Sequence, residues 1–313
     1  MPEVIYLFPG QSSRDVRMLS DWSDTPEGAD VLGEARDLLG SKVETLVDPH
    51  RPEPFAINLD IQLGVFLANE IHRRRLSRRG VAATASLGMS LGEYNHLVDI
   101  GAIAFADALR LVAARGRIYD AGPDGMMVSL FPTSRAVVDA LVEEARPFGD
   151  LAISNENAPS QFVIAGDRDA VQHAAALFAE REYADPVTIE HRIPMHAPRF
   201  RPAAEALRPH LEAAPWRGPT RAYWPNVTAA PVERATPAEI VSLLTEHVHR
   251  PVLWRQSIEA VLERHPGAIF VEVGPRRVLC NLLGRKWVRN PRFAASEDDL
   301  DRVVEAVSVE AAE

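Results

Sequence analysis

The sequence predicts an α/β protein in which a small βαββαβ unit is inserted into a larger framework of strands and helices. Three observations carry this. Apolar strand-like runs alternate with segments of helical spacing, the wiring of α/β folds. Residues 122–193 hold two helices among four strands in the order βαββαβ. Between an apolar run and a helix-like segment lies Gly88-Met89-Ser90-Leu91-Gly92, the pattern of a nucleophile elbow. At 313 residues the chain exceeds the usual size of a single core, so one large domain carrying an insertion, or two domains, is expected.

The elements follow in order. Val4–Phe8 is an apolar strand ending at Pro9-Gly10, and Ile57–Arg75 has helical spacing and runs into the basic cluster Arg73, Arg74, Arg75, Arg78 and Arg79 before Gly80. Ala82–Leu87 is the strand entering the elbow, Glu93–Val98 the helix leaving it, and Phe105–Tyr119 a second helix. Then come strand Met126–Leu130, helix Arg135–Arg146, strands Leu151–Asn155 and Gln161–Ala165, helix Arg168–Arg181 and strand Val187–His191. That succession is the ferredoxin-like unit. Beyond it lie a helical stretch from Arg199 to Leu211, a proline-rich connection at Pro215–Pro231, helices Pro237–His247 and Val252–Arg264, strand Ala268–Val273 and a helix-like Arg277–Val288. The acidic end, Glu297 to Glu313, reads as a loosely packed helix. The expected division is residues 1–121 and 194–313 for the large subdomain and 122–193 for the small one.

Composition excludes several classes. Hydrophobic residues at 46% and charged residues at 25% are ordinary globular values and suffice for a sizeable core. No run approaches the apolar length of a membrane span, and Met1–Gly10 lacks the basic start and long apolar centre of an export signal. Cys280 is the only cysteine, which excludes an internal disulfide and a cysteine-based metal site, and a reducing, cytoplasmic setting is expected. A net charge of −10 argues against general nucleic-acid binding. An acidic partner would have to meet a local basic patch.

The elbow carries the chemistry. A strand turning sharply into a helix leaves no room for a Cβ on either side of the serine, hence Gly88 and Gly92. The turn lifts the Ser90 hydroxyl clear of the backbone and places the following N–H groups at a helix N-terminus, where they can stabilise an oxyanion.

Several further motifs fall in series: Phe8-Pro9-Gly10-Gln11, Gly88 to Tyr94, Arg115-Gly116, Asn155 to Gly166, Pro194-Met195-His196 and Glu272-Val273-Gly274-Pro275. In this order the chain resembles the malonyl-CoA:acyl carrier protein transacylases and the discrete acyltransferases of polyketide assembly over nearly its whole length. The resemblance implies an α/β-hydrolase-like large subdomain with an inserted ferredoxin-like (βαββαβ) small subdomain. It implies Ser90 as the nucleophile of an acyl-enzyme, His196 as general base and acid, and the main-chain carbonyl of His247 as the group orienting that histidine. Gln11 and the Leu91 N–H would form the oxyanion hole, and Arg115 would grip the carboxylate of a malonyl-type group in two-pronged fashion. Acyl-CoA or acyl-phosphopantetheine would be the substrate, an acyl carrier protein the acceptor, and no metal or bound cofactor is implied.

The sequence departs from the family where the acyl group would sit. Met89 stands where histidine usually precedes the nucleophile, and Met195, with Ile193 two before it, replaces polar or aromatic neighbours of the histidine. Methionine is apolar and adaptable, which points to an acyl group bulkier than malonyl. Ser12-Ser13-Arg14 stands where a glycine usually follows the glutamine. Arg276, Arg277, Arg285 and Lys286, expected on the last helix, are the candidate carrier-docking cations, ahead of the Arg73–Arg79 cluster. The Asn155–Gly166 segment is expected to be structural. Transfer of an unusual acyl or aminoacyl group between two carrier proteins, an editing thioesterase and an inactive docking module are the alternative readings.

Overall fold

A computed structural model describes residues 2–295 and 300–309 of the chain. Two four-stranded sheets organise it. The first comprises β1 (Val4–Phe8), β2 (Ala85–Gly88), β7 (Ile269–Glu272) and β8 (Arg292–Ala294), in the order β2-β1-β7-β8 and parallel throughout. Parallel sheets need cover on both faces, and the period-two alternation of β1 supplies it. Ile5 and Leu7 pack with Phe270 against Trp254, Ile258 and Val261 of α10 (Trp254–Arg264). Val4, Tyr6 and Phe8 face the other way, onto Leu76 of α3 (Asn58–Arg78) and Val303 of α12 (Leu300–Val309). The largest core joins α3, α5 (Phe105–Asp120), α8 (Arg201–Ala213) and α9 (Pro237–His247) beside α1 (Pro26–Leu39).

The second sheet is antiparallel: β3 (Met126–Leu130), β4 (Leu151–Ala158), β5 (Gln161–Gly166) and β6 (Val187–Glu190) in the order β4-β5-β3-β6. With α6 (Arg135–Ala145) and α7 (Arg168–Glu182) this is the ferredoxin-like arrangement. Alternation again decides what faces where. Met126, Val128 and Leu130 pack with Phe178 and Leu141 of the two helices, while Met127 and Val163 belong to the core of the larger subdomain. The small sheet is tied to the segment entering α10 where Glu156 N–H donates to Val252 O at 2.9 Å and Val252 N–H to Ser154 O at 2.9 Å. The buried Glu156 carboxylate accepts from Arg135 of the small subdomain and from Gln256 of α10.

Three parts of the chain differ from expectation. Helices α1 and α2 (Lys42–Val47) were not expected, although Thr25 caps α1 ahead of Pro26 and Val31, Leu32, Ala35, Leu38 and Leu39 recur at helical spacing. The helix expected over Arg277–Val288 is only α11 (Val278–Leu282). Leu283 leaves helical geometry, and the Trp287 and Val288 N–H groups turn back onto Gly284 O, which brings Leu279, Leu283 and Val288 into one core; Arg285 and Lys286 therefore sit on a turn. Strand β8 is three residues long, too short to read. Of the acidic end, α12 is present and buries Leu300 and Val303, while 297–299 and 310–313 lie outside the described residues. No helix among the described residues is long and apolar enough to cross a membrane.

Candidate active site

The elbow forms where β2 ends on Gly88 and α4 (Gly92–Asp99) begins. Ser90 sits at φ +52°, the left-handed region that a side chain adopts only when its surroundings enforce it. A Cβ on Gly88 would lie 2.0 Å from Gly92 O, and one on Gly92 would lie 2.0 Å from Phe8 O. The two glycines thus let strand, turn and helix approach as closely as the strain requires. His196 is likewise held at positive φ, +60°.

Residues 106 apart in sequence meet here: Ser90 Oγ and His196 Nε2 are 2.7 Å apart. His196 Nδ1 lies 2.7 Å from the His247 carbonyl oxygen, which can only accept. Nδ1 therefore carries the proton, leaving Nε2 bare to take the Ser90 hydroxyl proton. His196 is 2% exposed. Burial first, and the nearby Arg115 charge second, hold its imidazole below the usual range, so it stays neutral as pH falls. We expect the rate of Ser90 acylation to remain flat as pH is lowered through about 6.5, where a free imidazole would protonate. Single-turnover rates across pH check this, and a fall centred on that value would contradict it.

Arg115 reaches the same point from α5, its Nη2 donating to Ser90 Oγ at 3.5 Å. Only 1% exposed, it stacks over the Tyr119 ring at 4.1 Å, and its Nη1 has no hydrogen-bond partner. Among the described residues it forms no salt bridge within 4.0 Å. A buried cation without a carboxylate is costly, and one aimed at a nucleophile is suited to an anionic group carried there. A solvated helix face, the other way to read this arginine, is not what the fold provides.

The cleft around Ser90 and His196 has a volume of about 160 Å³ and includes Gln11, Met89 and Met195. Gln11 opens a short 3-10 turn directly after Gly10, and Leu91 caps α4, so its N–H lies at the helix N-terminus. Ile193 is packed inside the main core and does not reach the cleft surface. Asn155, Asn157 and Gln161, expected to be structural, line the cleft from β4 and β5, with Met127 and Ser129 from β3. A strand read only for its pattern does not reveal which face meets a neighbouring subdomain.

Sequence reasoning also missed the support beneath the site. Asn226 Oδ1 accepts from the Ser90 N–H at 2.8 Å and its Nδ2 donates to Gly88 O at 2.6 Å. Glu93, wholly buried, accepts from Tyr223 Oη and pairs with His247 Nδ1 at 3.0 Å. Burial pushes its carboxyl up to about 8. The His247 ring stacks on that of His196 with centroids 4.8 Å apart, so its side chain is engaged as well as its carbonyl. Glu93 lay within the elbow motif; nothing local marked Asn226.

Of the basic groups, Arg277 and Arg285 line an open groove of about 790 Å³ with Arg289, Arg292 and Arg302. Helix α11 separates groove from cleft, Val278 and Leu282 facing the cleft and Cys280 and Asn281 the groove. Arg276 and Lys286 are exposed nearby. The Arg73–Arg79 cluster is instead neutralised internally: Arg73 and Arg74 bind Glu70, Arg78 pairs with Glu27 and Arg79 with Asp301.

The model of the acyl transferase domain matches residues 6–306. A malonyl CoA-acyl carrier protein transacylase of Escherichia coli K12 is 31% identical over 291 residues, 91% of this chain and 93% of that protein. The solved acyl-carrier-protein S-malonyltransferase of Burkholderia pseudomallei superposes with a TM-score of 0.90 at 28% identity, covering 97% of this chain and 99% of the other. A malonyl-transacylase solved in complex with its type II PKS acyl-carrier protein superposes at 0.88 and 28% identity, covering 97% of this chain and 99% of that one.

Proposed function

The chain belongs to the acyl transferase domain family, and from that premise we propose that it moves a malonyl-type acyl group from coenzyme A, through an ester on Ser90, to the phosphopantetheine thiol of an acyl carrier protein. Ser90 and His196 act as a dyad. His196 Nε2 takes the hydroxyl proton as Oγ attacks the thioester carbonyl. The resulting oxyanion lies between the Gln11 side chain and the Leu91 N–H. Its collapse breaks the C–S bond, and the departing thiolate takes the proton from the imidazolium. The carrier thiol then enters by the same steps reversed. The buried Arg115 guanidinium beside Ser90 Oγ, without a carboxylate of its own, carries the preference for a carboxylated donor. The small subdomain, taken as residues 122–193, supplies the opposite wall of the cleft.

Met89, Met127 and Met195 favour a second refinement, a substituted malonyl unit of the kind used in polyketide assembly. Flexible thioethers accommodate an added substituent more readily than a rigid polar wall. For the acceptor, the arginine-lined groove beside α11 offers an acidic carrier a local positive surface on a chain of net charge −10. Arg285→Glu is expected to raise the carrier's KM about tenfold while leaving the rate of Ser90 acylation unchanged; steady-state titration of the carrier, with a separate acylation burst, checks this.

The deciding experiment is intact mass spectrometry after mixing with malonyl-, methylmalonyl- and acetyl-CoA, with Ser90→Ala as control. An adduct from the carboxylated donors that disappears in the variant supports the reading. Equal adducts from all three remove the role given to Arg115. No adduct from any, with acylation from a carrier-bound donor, points to transfer between carriers, and release of free acid points to a thioesterase.

A further inference from the structure

Four hydrogen bonds and one close carboxyl–imidazole contact beneath the site close into a ring. Ser90 N–H donates to Asn226 Oδ1 at 2.8 Å, and Asn226 N–H donates to Glu93 Oε2 at 3.4 Å. Glu93 Oε2 meets His247 Nδ1 at 3.0 Å, the His247 carbonyl accepts from His196 Nδ1 at 2.7 Å, and His196 Nε2 returns to Ser90 Oγ at 2.7 Å. Asn226 is the member that grips the nucleophile turn itself. Its amide spans the strained serine, accepting from Ser90 N–H and donating to Gly88 O at 2.6 Å, while its own carbonyl accepts from Leu253 N–H at 2.9 Å. It is 3% exposed, and both its side-chain polar atoms are engaged.

We propose that Asn226 is a positioning residue that holds the Ser90 elbow in its left-handed conformation and, through Glu93 and His247, fixes that elbow relative to His196. This rests on the reading of Ser90 as nucleophile. A left-handed serine at φ +52° has a lower-energy conformation available unless something restrains it. Relaxation would carry Oγ away from Nε2, and the two bonds to Asn226 oppose that rotation from both sides. Neither atom of the amide can be exchanged for the other, because one partner is a donor and the other an acceptor.

The test uses a fluorophosphonate probe, which reports nucleophile reactivity without the acyl-CoA site. In the wild type, labelling at Ser90 is read by intact mass and must vanish in Ser90→Ala; no label there removes the nucleophile reading and this inference with it. Given the label, Asn226→Ala is expected to lower the maximal labelling rate on the order of 100-fold, with the probe's half-saturation constant within about twofold and a thermal midpoint lowered by only a few degrees. Labelling within about threefold of wild type overturns the proposal alone, as does a loss confined to half-saturation. Asn226→Asp keeps the isosteric shape and settles the matter if the alanine variant does not fold. Its carboxylate still accepts from Ser90 N–H but faces Gly88 O; a protonated carboxyl can donate there again. Glu93, Tyr223, His247, His196 and the Arg115 cation are the titratable and charged groups of the surrounding network and are common to both proteins. Labelling of Asn226→Asp should therefore be slow at pH 8 and recover, relative to wild type, as pH is lowered. A pH-independent ratio of one overturns the proposal.

Discussion

Ser90→Ala and His196→Ala are each expected to lower acyl transfer by roughly 10⁴-fold, and the double variant should be scarcely slower than either single one. The reason is geometric. With Oγ and Nε2 at 2.7 Å and Nδ1 committed to the His247 carbonyl, nucleophile and base operate as one unit; removing either leaves the other without a task. What remains after either change is substrate binding and the oxyanion donors. The two singles differ in one respect. His196→Ala retains a hydroxyl at Ser90, so slow acyl-enzyme formation persists and accelerates with rising pH as hydroxide replaces the base, whereas Ser90→Ala forms none at any pH. Rapid-quench measurement of acyl-enzyme in the three variants checks this. Multiplicative losses in the double variant would mean that the two residues act in separate steps.

Arg115→Leu is expected to reverse donor preference, lowering the specificity constant for malonyl-CoA by about 100-fold, roughly 3 kcal/mol, while leaving acetyl-CoA nearly unaffected. The guanidinium reaches Ser90 Oγ at 3.5 Å and keeps one terminal nitrogen without a protein acceptor. A carboxylate two bonds beyond the ester carbonyl would give it the anion that the fold does not. Arg115→Lys should recover only part of the loss, since an ammonium cannot offer the paired N–H groups of the fork. Because the arginine is buried without a salt bridge, leucine is not expected to destabilise the fold. Specificity constants for the two donors, with the thermal midpoint of each variant, test both parts. Equal losses for malonyl and acetyl donors would place Arg115 in general support of the serine instead.

Chemistry that depends on neighbours along the chain was legible before any coordinates. Gly88 and Gly92 mark the elbow because the clash they avoid is local, and Val4–Phe8, Phe105–Tyr119 and the inserted βαββαβ unit announce themselves by period. The resemblance pointed to His196, to the His247 carbonyl and to Arg115, and the fold brings all three within reach of Ser90 or of one another.

What the tertiary structure decided concerns faces and partners. Period alone places Arg78 and Arg79 at the end of a helix; only packing shows Glu27 and Asp301 pairing with them. Asn155, at the end of an expected strand, and Asn157, in the connection expected after it, read as structural until the small sheet turns them toward the cleft. Ile193 and Met195 are two residues apart and both join the main core, yet only Met195 also lines the cleft. Asn226 lies 136 residues from the serine it holds, in a loop with no periodic pattern. The sequence by itself determined which residues could do the chemistry, because reactivity and backbone strain are properties of local residue types. The tertiary structure decided which of them are buried, paired and aimed, because burial and hydrogen-bond partnership are set by segments that meet only when the chain has folded.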